Sequence, residues 1–178
     1  MAKYLINEEY DVQEAGAAKT FGKGERRRDY ADPWRETGNV VLIGLPGSGR
    51  AELARLLADR MGKPVLIPSE AQAAAEALQG LGAIIVLDDR LVDDPGVQPL
   101  IHGAGKVFYL MADTRLLSDR VAGRGGVEGE EAAEDLWRQL SARLAEVEPV
   151  FYGVLHFILQ GAQSPEDLVG DALEKIGY

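Results

Sequence analysis

One segment constrains the fold more than any other. Four apolar residues, Val40-Val41-Leu42-Ile43, run into Gly44-Leu45-Pro46-Gly47-Ser48-Gly49, and that glycine turn opens directly onto Arg50-Ala51-Glu52-Leu53. The stretch after the turn, RAELARLLADRM, keeps Leu53, Leu56, Leu57 and Met61 on one face at helical spacing and stops at Gly62. A buried strand, a glycine turn and an amphipathic helix in that order are the context in which a phosphate-binding loop forms. Glycine lets successive backbone N–H groups turn toward one anion, and the helix N-terminus adds positive dipole. The template is G-x-x-x-x-G-K-[ST]; the chain has Gly44 and Gly49 in frame but Arg50 and Ala51 at the last two positions. Arginine keeps a positive charge as a planar fork instead of a compact ammonium, and alanine lacks the hydroxyl that ligates Mg²⁺ in such loops.

Beyond this segment the same grammar repeats. Continuous apolar runs at 40–45, 65–67, 83–87, 107–111 and 157–159 read as strands covered on both faces. Helical patterns lie between them at 50–61, 70–79, 114–123 and 130–147, and a last helix opens at Ser164-Pro165-Glu166-Asp167 with capping serine, proline and acids. Alternation of this kind predicts an α/β fold with a parallel sheet and helices on both faces. Residues 1–38 differ: seven basic and eight acidic side chains nearly cancel, and no periodicity emerges. That predicts a polar, flexible N-terminal extension, with Tyr30 and Trp34 as anchors if it docks to a protein partner, ahead of a domain spanning 39–178.

The charge balance, 19 Lys+Arg against 29 Asp+Glu for a net −10, argues against a nucleic-acid partner. No apolar run reaches the roughly 18–20 residues of a membrane span, and the first residues lack the apolar core of a secretory signal, so a cytoplasmic protein is expected. The absence of cysteine removes disulfides, thiolate nucleophiles and zinc ribbons. The two histidines, His102 and His156, suggest no catalytic dyad, and His156 in its apolar run reads as a core residue. Asp88, at the tip of the 83–87 run, fits the strand-end acid that holds a metal through water, with a solvated acidic loop (Arg90, Asp93, Asp94) as the plainer alternative.

Residues 39–176 resemble the shikimate kinase family of small P-loop kinases. The phosphate loop comes first in the domain. Lys106-Val107-Phe108-Tyr109-Leu110-Met111-Ala112-Asp113, followed by Leu116, Leu117, Arg120 and Arg124, resembles the family's strand, helix and lid-entry stretch. Pro149-Val150-Phe151-Tyr152 before a strand, then Ser164-Pro165-Glu166-Asp167, resembles its C-terminal end. The resemblance implies a P-loop NTPase-like three-layer sandwich whose five-stranded parallel sheet has the order 2-3-1-4-5. It also implies ATP, Mg²⁺ and phosphorylation of the shikimate 3-hydroxyl. By resemblance Arg120 lies under the adenine and Arg124 approximates the lid arginine that reaches the transferred phosphate.

Several working positions depart from the family pattern. Its Asp-Thr-Asp after the second strand reads Ile67-Pro68-Ser69-Glu70 here, and its Gly-Gly-Gly after the third reads Asp88-Asp89-Arg90. The arginine before its Pro-Leu-Tyr stretch is replaced by an acid near Glu148, and the lid, 124–130, is glycine-rich and acidic. A carboxylate substrate would meet acids in place of an arginine clamp. The expectation is therefore a protein that binds a nucleotide or small phosphorylated ligand through Gly44, Gly47, Ser48, Gly49, Arg50, Ala51 and Arg120, with little or no kinase activity. The alternative is an active ATP-dependent small-molecule kinase in which Arg50, Asp88 and Arg124 are catalytic and Asp88 holds Mg²⁺ through water.

Overall fold

The computed structural model describes residues 36–125 and 129–178. The remainder of the 1–38 extension, with Tyr30 and Trp34, lies outside the described residues. At its described end, Thr37 Oγ1 donates to Ala104 O at 2.6 Å and Gly82 N donates to Thr37 O at 3.0 Å, so the folded unit reaches back at least to Thr37.

Five strands form one parallel sheet: β1 Val40–Ile43, β2 Val65–Leu66, β3 Ile84–Val86, β4 Lys106–Met111 and β5 Phe157–Gln160. Their order is β2-β3-β1-β4-β5, the one expected. Val40 sits beside Ile84 on one side and Lys106 on the other, which puts β1 at the centre of the sheet. The helices are α1 Arg50–Met61, α2 Ala71–Gln79, α3 Asp89–Val92, α4 Gln98–Ile101, α5 Thr114–Gly125, α6 Glu130–Val154 and α7 Pro165–Ile176.

The inner strands β1 and β3 are apolar throughout because both their faces are buried, each against its own core. On one face Val40, Leu42, Ile84, Val86, Phe108 and Leu110 meet Leu53 and Leu57 of α1 and Leu168, Val169 and Ala172 of α7. On the other, Val41, Ile43, Ile85, Val107 and Tyr109 meet Val147, Phe151 and Val154 of α6, with α2 and the α3–α4 segment beside them. Period-two alternation along β1 and β4 therefore divides the side chains between two cores.

Two elements depart from the expected boundaries. Helix α6 continues past 147 through Pro149 to Val154. Proline inside a helix removes one backbone bond and costs about 3 kcal/mol, but burial of Val147, Phe151 and Val154 on the same face outweighs it. The Phe151 ring lies 4.8 Å from Tyr109, centroid to centroid. The segment after β3, expected as a solvated loop, folds into α3 and α4, which bury Leu91, Val92, Val97 and Ile101.

One buried polar residue joins three segments at the N-terminal edge of the sheet. Asn39, 2% exposed, donates from Nδ2 to Gly80 O (2.8 Å) and Ala104 O (3.0 Å) and accepts from Ala83 N at Oδ1 (2.9 Å). The two histidines stack on each other, ring centroids 4.3 Å apart, and Val107 N donates to His156 Nδ1 at 3.1 Å. They lie at the start of β4 and β5, far along the strands from the glycine turn, in keeping with a structural role.

Candidate functional site

The glycine turn sits where β1 ends in the middle of the sheet, the place where an open α/β sheet offers a crevice at the carboxyl ends of its strands. Gly47 and Gly49 hold φ of +84° and +91°, which side chains rarely adopt, and Gly44 lies at +150°. A Cβ on Gly47 would come within 2.7 Å of Leu117 O, so the turn packs tightly on α5, whereas a Cβ on Gly49 would meet nothing within 4 Å. The turn is thus closed beneath and open above. Helix α1 has no side-chain cap on its N-terminus, so the first-turn N–H groups are left for a ligand or water. Helix α7 differs: Ser164 Oγ accepts from Asp167 N and closes its end. Within the turn Ser48 is buried, and its Oγ has no hydrogen-bond partner among the described residues.

A cleft of about 470 Å³ opens above this turn, lined by Gly47–Ala51, Glu52, Arg55, the Ile67-Pro68-Ser69 segment, Val86, Asp88 and Arg124. A smaller neighbour of about 150 Å³ shares the turn and is bounded by Arg120, Gly161, Gln163 and Leu168. The fold thus gathers Arg50, Asp88 and Arg124, widely spaced in sequence, around one cleft, with Arg120 beside the smaller one.

Each of these side chains has its own engagements. Arg50 donates from Nη1 to Leu87 O at the end of β3. Burial pushes its guanidinium below its ordinary value, while Asp89 and then Asp88 pull it back up. Asp88 is the N-cap of α3: its Oδ1 accepts from Leu91 N at 2.9 Å, and its Oδ2 lies 3.6 Å from Arg90. Arg120 donates to Gly161 O at 2.9 Å and Gly47 O at 3.3 Å, tying the turn to the loop between β5 and α7. Arg124 is exposed near the end of α5.

Sequence reasoning missed Arg143. From α6 it donates through Nε to Asp89 Oδ2 at 2.7 Å, through Nη2 to Asp89 O at 3.2 Å, and through Nη1 to Asp93 at 3.1 Å and Glu146 at 3.4 Å. Those hydrogen bonds, Asp89 first, raise its guanidinium above the ordinary range despite an opposing desolvation. Asp89 is 7% exposed, is bonded to Arg143 and acts electrostatically on the half-buried Arg50. Only the pairing of two acids with an arginine 50 to 54 residues downstream marks this in sequence, and spacing alone does not reveal it.

Sheet order and the glycine turn together define a P-loop kinase-type α/β fold. No family model matches the chain. The shikimate kinase of Symbiobacterium thermophilum is 26% identical over 166 residues, covering 78% of this chain and 95% of that protein. Among solved structures, shikimate kinase from Acinetobacter baumannii in complex with shikimate superposes with a TM-score of 0.68 at 17% identity, covering 78% of this chain and 92% of that one. The Bacillus subtilis YorR protein, solved with phosphorylated GDP, superposes at 0.60 and 17% identity, covering 78% and 95%. Sequence relatives and structural neighbours alike point to the shikimate kinase family. No helix among the described residues is long and apolar enough to cross a membrane.

The groups implied by that resemblance fit unequally. A phosphate fits: the turn is open above Gly49, the helix end is uncapped, and arginines flank the cleft. Magnesium does not. Position 51 presents a methyl, one Asp88 oxygen is spent on capping α3, and the guanidinium of Arg50 lies at the same strand end.

Proposed function

We propose that this chain is a shikimate-kinase-like P-loop protein that binds a nucleotide or another small phosphorylated ligand at residues 44–51 and transfers phosphate poorly or not at all. One observation carries the reading: the backbone cradle is open above Gly49 and uncapped at the start of α1, while the side chains around it depart from what transfer needs. Phosphoryl transfer rests on positioning and charge stabilisation, so a methyl at the metal-ligand position bears directly on rate. Loss of one positioned donor or ligand commonly lowers turnover by about 10²–10³. In this reading Gly44, Gly47, Ser48, Gly49, Arg50 and Ala51 contact phosphate, and Arg120 borders the base side. The substrate side, where the family pattern has an arginine before its Pro-Leu-Tyr stretch, has Glu148 instead, which disfavours a carboxylate acceptor.

A second reading, an active ATP-dependent kinase with an alcohol acceptor, is favoured by the shared cleft of Arg50, Asp88 and Arg124. Two measurements separate them: calorimetric titration with ADP and ATP, and a coupled ADP-release assay against shikimate and a panel of polar alcohols with Arg50→Ala as control. The expected result is binding without release above the control. Release that Arg50→Ala abolishes would establish the kinase instead.

A further inference from the structure

Resting on the phosphate-binding reading above, we infer that the site takes its ligand as the metal-free anion, the guanidinium of Arg50 supplying the positive charge that a divalent cation would otherwise bring. Arg50 is held by Leu87 O just past the end of β3, lines the same cleft as Asp88 and lies in the field of the Asp89 and Asp88 carboxylates. Asp88 is the strand-end acid that would hold a cation in such a fold, and the Arg50 guanidinium already lies in its field. The two acids are already compensated. Asp89 is bonded to Arg143 on the far side, and Asp88 caps α3 with one oxygen and lies near Arg90 with the other. A divalent ion entering here would meet a half-buried guanidinium, would gain no hydroxyl from Ala51, and would have only Asp88 Oδ2, already 3.6 Å from Arg90, to hold it. Each of these opposes it, and the first strengthens as water is excluded.

A phosphate meets the opposite field. Arg50, Arg55 and Arg124 line the cleft, and the uncapped N–H groups of α1 open into it. A guanidinium presents several donors in a plane and pairs two phosphate oxygens at once, which a bound metal with water ligands does not need to do. The ligand class is a small molecule ending in phosphate or diphosphate.

The test uses the full chain and ADP, titrated calorimetrically in EDTA and again in excess Mg²⁺. Wild type is expected to bind ADP in EDTA, and no tighter in Mg²⁺. Tightening by Mg²⁺ of more than about threefold overturns the inference and leaves the phosphate-binding reading standing. No heat with ADP, and no thermal shift with ADP or inorganic phosphate under either condition, defeats that reading itself. Arg50→Ala is expected to weaken ADP in EDTA by about tenfold or more, the loss of a charge-assisted contact. Should that variant fold poorly, the double variant R50K/A51S decides. Restoring the compact ammonium and the hydroxyl is expected to make ADP bind at least about tenfold tighter with Mg²⁺ than without. A rebuilt variant indifferent to Mg²⁺ overturns the assignment to Arg50 and Ala51.

Discussion

Replacing Arg143 by Met keeps the length of the side chain across the α3–α6 seam and removes its charge. In the native protein the Arg143 side chain is 26% exposed and that of Asp89 is 9% exposed, with 2.7 Å between Nε and Oδ2. The Asp93 and Glu146 contacts are exposed enough to contribute only about 0–1 kcal/mol together. The larger effect is on Asp89, left as a buried carboxylate whose strongest partner is gone. Breaking a buried pair costs about 3–5 kcal/mol, and the nearby charge of Arg50 plus partial solvent access reduces this to about 2–4 kcal/mol. Asp89→Asn keeps the shape and an acceptor, so about 1–2 kcal/mol is expected. Because the two residues share one contact, the double variant should lose less than the sum of the singles, by about 1–2 kcal/mol. Urea unfolding of the four proteins, compared at constant m, supplies every leg of the cycle. A loss below about 0.5 kcal/mol for Arg143→Met, or strict additivity, would refute the claim that this arginine holds α3 against α6.

Gly47→Ala forces a Cβ to within 2.7 Å of Leu117 O at φ +84°, so the turn must move off α5; a loss of about 2–4 kcal/mol is expected by thermal or chemical unfolding, and ADP binding should weaken with it. Asn39→Ala orphans the buried Ala83 N, whereas Ala104 O keeps Thr37 and the exposed Gly80 O can turn to water; at about 1–3 kcal/mol for one orphaned buried group the unfolding free energy should fall by about 1–3 kcal/mol. Tyr109 gives a pH dependence. Its phenol is pushed well above its ordinary value of 10.0, by burial first and by Glu148 and Tyr152 after it. The folded state therefore holds a proton that the unfolded chain releases. Stability is unaffected below about pH 10 and falls as pH rises beyond it, by at most about 1.4 kcal/mol per pH unit. Melting temperature measured from pH 8 upward should show that decline in wild type and lose most of it in Tyr109→Phe, despite the packing on Phe151 being kept.

What could be read from sequence was what local periodicity and turn chemistry carry. The five apolar runs, the glycine frame at 44–49 and the Ser164 cap are near-neighbour patterns, and each appears in the fold within a residue or two. The phosphate loop belongs to this class because all its backbone requirements sit within eight consecutive residues. Helix α6 escaped because its proline is a local stop signal, overruled by the distant partners of Phe151 and Val154. Helices α3 and α4 escaped because an acid-rich stretch resembles a solvated loop until Arg143 and the core beneath it are counted.

The amino-acid order alone determined the alternation of strand and helix, the seat of the glycine turn after β1 and the identities of Arg50 and Ala51, since these follow from covalent neighbours and intrinsic preferences. Tertiary structure alone decided that Arg50 reaches Leu87, that Asp88 caps a helix, that Asp89 meets Arg143 and that Arg120 ties Gly47 to Gly161. Apart from the Asp88 cap, which spans three positions, these contacts join residues 37 to 73 positions apart, and their energies depend on burial and orientation that exist only once the layers have closed.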